Sequence, residues 1–129
     1  MASELKVDKI TGVATAGSID VTGEGNSTTT NLQQGLLKAW TVSASSSAGT
    51  VGDSFNNSSF SDDNSGRTTI TLTNPMSTAT DWCVTQGTIA NYPYHANAKT
   101  ASTFGLETVN YSGNYADGSS NGMCSGDLA

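Results

Sequence analysis

Residues 67–73 read RTTITLT and form the clearest β-strand pattern in the chain. Ile70 and Leu72 fall on one face of an extended backbone, and the threonines fall on the other. The turn-forming run DDNSG at 62–66 precedes this segment, and an Asn-Pro pair follows it. The pattern predicts a half-buried strand that begins after a hairpin turn and ends at the proline.

Similar short runs recur on both sides of this strand, and they are separated by Gly, Asn and Asp. We expect further strands in the segments 40–43, 54–60, 81–86, 89–94, 103–111 and 123–124. Strands spaced about ten to fifteen residues apart are typical of all-β folds. The sequence therefore predicts an antiparallel β-sandwich or jelly-roll-like domain over residues 41–129, with Phe55 and Phe60 as core candidates.

A helical period interrupts these runs within GEGNSTTTNLQQGLLKAW, residues 23–40. Leu32, Leu36 and Trp40 recur every four residues, and Leu37 widens the apolar stripe. We expect a short helix within 28–40, with Thr30 and Gln33 as a capping box. A helix this short is marginal alone, so its apolar face needs a partner. That partner is either the domain's own sheet or other copies of the chain, in which case Leu32, Leu36, Leu37 and Trp40 form a trimer interface.

The alternation of apolar residues within the first 27 positions predicts an extended N-terminal arm with two short strands. Its apolar residues are few, and a two-stranded hairpin with so little apolar surface is marginal in water. The arm is either a flexible terminus or an attachment segment that becomes ordered on a larger assembly. The candidate attachment residues are Leu5, Val7, Ile10, Ile19 and Val21.

Composition excludes one large class of partner. The chain has 129 residues, a net charge of −6 and only 12% charged residues. Nucleic-acid binding depends on clustered Lys and Arg, so nucleic acid is excluded as the main partner. A hydrophobic content of 35% is low for a self-sufficient domain, which indicates burial against another chain. We expect no signal peptide and no membrane insertion, because no apolar run is long enough.

Catalytic and metal-binding motifs are missing from the sequence. It contains one His and two Cys, and neither Cys belongs to a C-x-x-C pair. It has no G-x-S-x-G or H-E-x-x-H motif, so we expect no enzyme, no cofactor and no metal. Asp62, Asn64 and Gly66 resemble part of a calcium loop, but a hairpin turn is the simpler interpretation. Cys83 and Cys124 are either buried free thiols or one disulfide.

Three stretches carry a resemblance to a known group of proteins. They are LKVDKITGVATAGSIDVTGEGNSTTTNLQQGLLKAW at 5–40, DSFNNSSF at 53–60 and GDLA at 126–129. Together they resemble a module of marine bacteriophage proteins labelled tail-fibre-like or virion structural proteins. The resemblance implies an N-terminal connector, a β-rich terminal domain and a homotrimer. The stretch GTIANYPYHANAKTAS at 87–102 departs from that pattern.

The motif NYPYH within this divergent stretch is the best candidate for recognition. Tyr92, Tyr94 and His95 offer rings with polar tips, and Pro93 stiffens the backbone between the tyrosines. They form either a receptor or glycan contact or ordinary packing at the rim of a sandwich.

We therefore expect a non-enzymatic virion protein, made in the host cytoplasm. It would be a trimeric tail fibre, spike, head fibre or capsid decoration that contacts itself and other capsid or tail proteins. The alternative is a lectin-like module that binds host surface glycans.

Overall fold

The structure is a computed structural model that describes residues 4–12, 19–23, 28–45, 50–88 and 92–128. Within these ranges the chain forms ten strands and one helical turn. The elements are β1 Asp20–Thr22, β2 Thr29–Asn31, α1 Leu32–Gly35, β3 Ala39–Ser45, β4 Thr50–Phe55, β5 Asn57–Asn64, β6 Arg67–Leu72, β7 Trp82–Thr88, β8 Tyr92–Thr100, β9 Thr103–Val109 and β10 Ser120–Gly126.

The chain divides into two compact units, Met1–Gly35 and Leu36–Ala129. The second unit contains two four-stranded antiparallel sheets. Sheet I has the order β4-β3-β10-β7, and sheet II has the order β5-β6-β9-β8. The two sheets pack face to face, which confirms the predicted antiparallel β-sandwich.

The core lies between the two sheets and draws on both of them. Sheet I contributes Ala39, Trp82 and Cys124, while sheet II contributes Ile70, Leu72, Phe104 and Leu106. The rings of Trp82 and Phe104 meet edge to face, with centroids 6.0 Å apart. Such aromatic contacts add about 0.5–1.5 kcal/mol beyond the area they bury.

Gly122 allows the two sheets to approach closely at the middle of β10. A Cβ atom at this position would lie 3.1 Å from Leu106 Cδ1 and 3.2 Å from Phe104 Cε2. Both neighbouring side chains are almost fully buried, so neither has room to move. Glycine is therefore needed here for space.

The predicted strand at 67–73 is confirmed, because β6 alternates buried Thr68, Ile70 and Leu72 with more exposed residues. The turn before it is the predicted hairpin turn, at Ser65 and Gly66. Gly66 has φ +66°, which glycine adopts without strain.

The segment 54–60 was predicted as one strand, but the structure splits it at Asn56. This residue has φ +59°, and the chain passes there from β4 of sheet I to β5 of sheet II. Phe60 packs against the core as predicted, whereas Phe55 is 53% exposed. The change of sheet explains how two residues five apart acquire different environments.

The first unit contains a small antiparallel hairpin of β1 and β2, in which Val21 pairs with Thr30. The predicted strand around Ile19 and Val21 is thus confirmed, with its observed bounds at Asp20–Thr22. The predicted strand around Leu5 and Val7 is wrong, because this segment has no regular structure. Among the described residues, no strand pairs with the segment 4–12.

The predicted helix is also wrong in its extent. Only one turn forms, at Leu32–Gly35, and Trp40 lies in β3 instead. Gly35 disfavours continuation of the helix, and pairing of Trp40 with Met123 of β10 stabilises the extended backbone. Leu32, Leu36 and Trp40 therefore do not share one helical face.

Both cysteines are free thiols. Cys83 is exposed, so its predicted burial is wrong, while Cys124 is fully buried as predicted. Cys83 of β7 pairs with Ser125 of β10, and Cys124 is the residue before Ser125 in the chain. Successive side chains on a strand point to opposite faces, which separates the two thiols.

Candidate functional site

The outward face of sheet I carries an apolar row that crosses three strands. Phe55 pairs with Trp40, and Trp40 pairs with Met123, which in turn pairs with Thr85 of β7. Phe55 is 53% exposed and Met123 is 49% exposed. A sheet that packs its inner face on a core usually has a polar outer face. The apolar row is therefore a candidate binding surface.

A second row lies beside the first and is more polar. Asp53 pairs with Val42, Val42 with Asn121, and Asn121 with Gly87. Val42 is 40% exposed, and Gly87 is exposed as well. Because Gly87 has no side chain, no side chain of this row projects from the sheet surface at β7.

A groove of about 460 Å³ opens where the two rows meet. We call it the outer groove, and its outward-facing lining residues are Trp40, Val42, Thr85, Gly87, Asn121 and Met123. Trp40 and Met123 are the two largest of these residues. The groove thus combines an aromatic ring, a thioether and two polar side chains.

The polar groups of the outer groove have unused hydrogen-bonding capacity. Among the described residues, Asn121 Oδ1 is a buried acceptor without a hydrogen-bond partner. The hydroxyl of Thr85 donates to the carbonyl oxygen of Met123 at 3.5 Å, the long limit of such a bond. The Thr85 hydroxyl is able to accept a further hydrogen bond from a ligand, and the Asn121 amide pairs with a ligand hydroxyl once it turns toward the groove.

The electrostatics of the outer groove are set by a neutral lining and a carboxylate near its end. None of the residues that line it is charged or titratable at neutral pH. Asp53 lies at the end of the second row, on strand β4 at the edge of sheet I. A carboxylate at that edge disfavours anionic ligands. The arrangement is suited to binding an uncharged molecule.

The predicted attachment residues are mostly exposed in the first unit. Leu5 is 80% exposed, Ile10 59%, Val7 52% and Val21 51%, while Ile19 is half-buried. Burying one such side chain contributes about 1.5–3 kcal/mol. These side chains are therefore available for burial against another molecule.

The predicted trimer-interface residues are distributed over three elements. Leu32 is half-buried in α1, and Leu36 and Leu37 follow it with exposures of 54% and 50%. Trp40 lies in β3 and lines the outer groove. Leu36 and Leu37 are exposed candidates for an interface, and the interface role of all four residues stays a prediction.

The NYPYH motif lies at the start of β8, the edge strand of sheet II. The backbone of Tyr92 pairs with Val109, and a register shift between Pro93 and His95 coincides with Tyr94. The side chains of both tyrosines lie outside the described residues. His95 is exposed and pairs with Glu107 of β9. The proposed recognition role of the motif stays a prediction.

A polar cluster stands beside His95 on sheet II. The Arg67 guanidinium lies 4.0 Å over the ring of Tyr115, and its Nε is 3.5 Å from Glu107 Oε1. The Tyr115 hydroxyl donates to Glu107 Oε2 at 3.2 Å. Each member thus has a partner inside the cluster, which indicates a structural role for it.

The described part of the chain holds neither a cluster that suits a metal ion nor a helix that could span a membrane. No group of three His, Cys, Asp or Glu residues there could hold a metal ion. The turn at Gly66 is held instead by Asp117, whose Oδ1 accepts the Gly66 N–H at 2.7 Å. Among the same residues, no helix has the length and apolar character to span a bilayer.

Sequence reasoning did not find the outer groove, although one signal for it was present. Trp40 and Val42 alternate with Thr41, which places the two apolar residues on one face. In the structure that face is the outer one, since Ala39 and Thr41 are the buried residues of β3.

No family model matches this chain, and no curated protein or solved structure matches it either.

Proposed function

We propose that this chain is a non-enzymatic structural protein of a bacteriophage virion. It forms a homotrimeric appendage on the particle surface, of the fibre, spike or capsid-decoration type. The first unit attaches it to a capsid or tail protein, and the β-sandwich is displayed outward.

The observation that carries this proposal is the contrast between the two units. The sandwich buries its own core, including Ile70, Phe104 and Leu106. In the first unit, by contrast, Leu5, Val7 and Ile10 are more than half exposed. Apolar side chains without a core of their own are stabilised when they pack on another chain. An attachment segment that precedes a self-contained domain in the chain fits this contrast.

Two further observations support the proposal. The resemblance of residues 5–40, 53–60 and 126–129 to virion structural proteins supplies the biological setting. The outer groove is lined by uncharged residues, which is consistent with a binding surface. Synthesis in the host cytoplasm followed by assembly into the particle is consistent with both.

The trimer is proposed to form around Leu36 and Leu37, at the start of the second unit. Native mass spectrometry at micromolar concentration should show three copies of the 13.2 kDa chain. The double variant Leu36→Asp and Leu37→Asp should dissociate it, because six buried charges would be unpaired in the assembly. Ser61→Asp, on exposed β5, is the matched control and should leave the trimer intact.

The attachment role is tested by deletion of residues 2–22. The melting temperature of the sandwich should stay within a few degrees of that of the full chain, because the core residues all lie after this segment. Incorporation into purified particles, followed with an antibody to the sandwich, should be lost. A monomeric full chain, or unchanged incorporation of the deletion variant, would contradict the corresponding part of the proposal.

A further inference from the structure

We infer that the outer groove is a binding site for a neutral saccharide. The inference concerns sheet I of a single sandwich and is independent of trimer formation and of particle attachment.

The size of the groove fits a short oligosaccharide. Its volume of about 460 Å³ falls within the roughly 300–1,000 Å³ that is typical of small-molecule sites. It is open to one side, because Gly87 places no side chain between β7 and the solvent. A sugar ring can therefore enter from the β7 side without displacement of the backbone.

Trp40 provides the apolar surface that sugar recognition requires. A pyranose ring has one face rich in C–H groups, which packs well against a flat aromatic ring. Met123 pairs with Trp40 on the neighbouring strand, and its flexible thioether adapts to the edge of the ring. Together they bury the apolar face of the sugar.

Asn121 and Thr85 provide the hydrogen bonds. Asn121 Oδ1 is without a partner among the described residues, and burial of an unpaired acceptor costs about 1–3 kcal/mol. Rotation of its amide about χ2 turns an acceptor and a donor toward the groove. A sugar hydroxyl both donates and accepts, so it pairs with either end of the amide.

Charge further restricts the class of ligand that fits the outer groove. The lining residues are uncharged, Asp53 stands at the edge of sheet I, and the chain has a net charge of −6. Acidic sugars and phosphates are repelled by this field. A quaternary ammonium group is attracted to this field, but it has no N–H or O–H that could donate a hydrogen bond to Asn121 Oδ1. The preferred ligand is therefore a neutral hexose or N-acetylhexosamine oligomer.

Gly87 offers a way to block the groove without damage to the core. A Cβ atom built at this position meets no other atom within 4 Å, and the residue faces outward beside Asn121. A β-branched residue is also favoured in a strand. Gly87→Val should therefore keep the fold and fill the entrance to the groove.

The test uses the full chain and three probes, which are maltose, cellobiose and N,N′-diacetylchitobiose, each titrated to millimolar concentration. Proton–nitrogen correlation spectra should show saturable shifts of the Trp40 indole N–H and the Asn121 side-chain amide with at least one probe. Gly87→Val and Trp40→Ala should each raise the dissociation constant about tenfold or more. Cys83→Val, on the same strand and face but outside the groove, should bind like the wild type.

Three results would overturn the inference. The first is the absence of shifts at Trp40 and Asn121 with all three sugars. The second is unchanged binding by Gly87→Val when its melting temperature is also unchanged. The third is loss of self-association by Gly87→Val without any sugar binding by the wild type, which would identify the groove as an interface between copies. A failure of trimer formation alone would not contradict the saccharide site.

Discussion

Asn56 and Asn74 are joined at the corner where the chain leaves sheet I for sheet II. Asn56 Oδ1 accepts the backbone N–H of Asn74 at 2.8 Å, while Asn56 Nδ2 donates to the Lys38 carbonyl oxygen at 2.9 Å. One side chain thus fixes the start of β5, the end of β6 and the approach to β3. The positive φ of Asn56 is compatible with this role, because Asn tolerates the left-handed region better than most residues do.

Replacement of Asn56 by Ala should destabilise the sandwich by about 3 kcal/mol, since it removes these hydrogen bonds and strains a positive φ. Asn56→Gly loses the same hydrogen bonds, but glycine adopts a positive φ without strain. Its loss of stability should therefore be about 1 kcal/mol smaller than that of Asn56→Ala. Urea denaturation measures both. Equal losses in the two variants would show that backbone strain contributes nothing at this corner.

Gly122 and Gly87 form a matched pair of glycines on the neighbouring strands β10 and β7. Gly122→Ala should destabilise the protein by about 1–2 kcal/mol, because the new methyl group meets the immobile side chains of Leu106 and Phe104. Gly87→Ala should be neutral or stabilising by up to about 1 kcal/mol, because it restricts the unfolded chain and meets nothing. Thermal or urea unfolding of the two variants tests the contrast. A stable Gly122→Ala variant would mean that the sheets can separate at β10.

The buried thiol of Cys124 gives the protein a predictable response to alkaline pH. Burial, with a smaller contribution from Cys83, raises the pKa of Cys124 to about 12. Above about pH 9 the unfolded chain releases this proton and the folded chain keeps it. Stability should therefore fall as pH rises between about 9 and 12, at up to about 1.4 kcal/mol per pH unit from this group.

The measurement compares the pH slope of unfolding free energy for the wild type and Cys124→Ala. The variant should have a shallower slope above pH 9, whatever its absolute stability. Alkylation provides an independent check, because exposed Cys83 should react with iodoacetamide in the native state and Cys124 should not. Equal labelling of both cysteines would contradict the burial of Cys124.

The NYPYH motif is tested by the double variant Tyr92→Ala and Tyr94→Ala. If the tyrosines contribute to recognition, binding to cells or glycans should be lost while the melting temperature stays nearly unchanged. If they pack in the sandwich, stability should fall by about 3 kcal/mol or more. Sugar-induced shifts at Trp40 should persist in either case, since the outer groove lies on the other sheet.

The strands were predictable wherever one face is buried and the other exposed. The residues of β6 and β7 alternate in this way, and their patterns predicted both strands and, for β6, the inward residues Ile70 and Leu72. The segment 32–42 was ambiguous, because its leucines fit a helix and its Trp40 and Val42 fit a strand. Pairing of β3 with β10 decided the outcome, and such pairing is a long-range effect that a local pattern does not contain.

The outer groove could not be predicted for the same reason. Trp40, Thr85 and Met123 are far apart in sequence and become neighbours only through the registers of β3, β7 and β10. The exposure of Phe55 depends on the turn at Asn56, where the chain changes from sheet I to sheet II. Composition and charge, by contrast, can be read without the fold, and they still predict ligands that do not need a basic surface.

The position of β10 has a consequence for synthesis of the protein. This strand lies between β3 and β7 in sheet I, although it follows all the other described strands in the chain. Sheet I therefore stays incomplete while the ribosome translates residues 36–119, and β3 and β7 have unpaired edges during that time. All four strands of sheet II are translated before β10, because the last of them ends at Val109. We expect the nascent chain to be most prone to aggregation just before Ser120–Gly126 emerges, and a message truncated there to yield no folded sandwich.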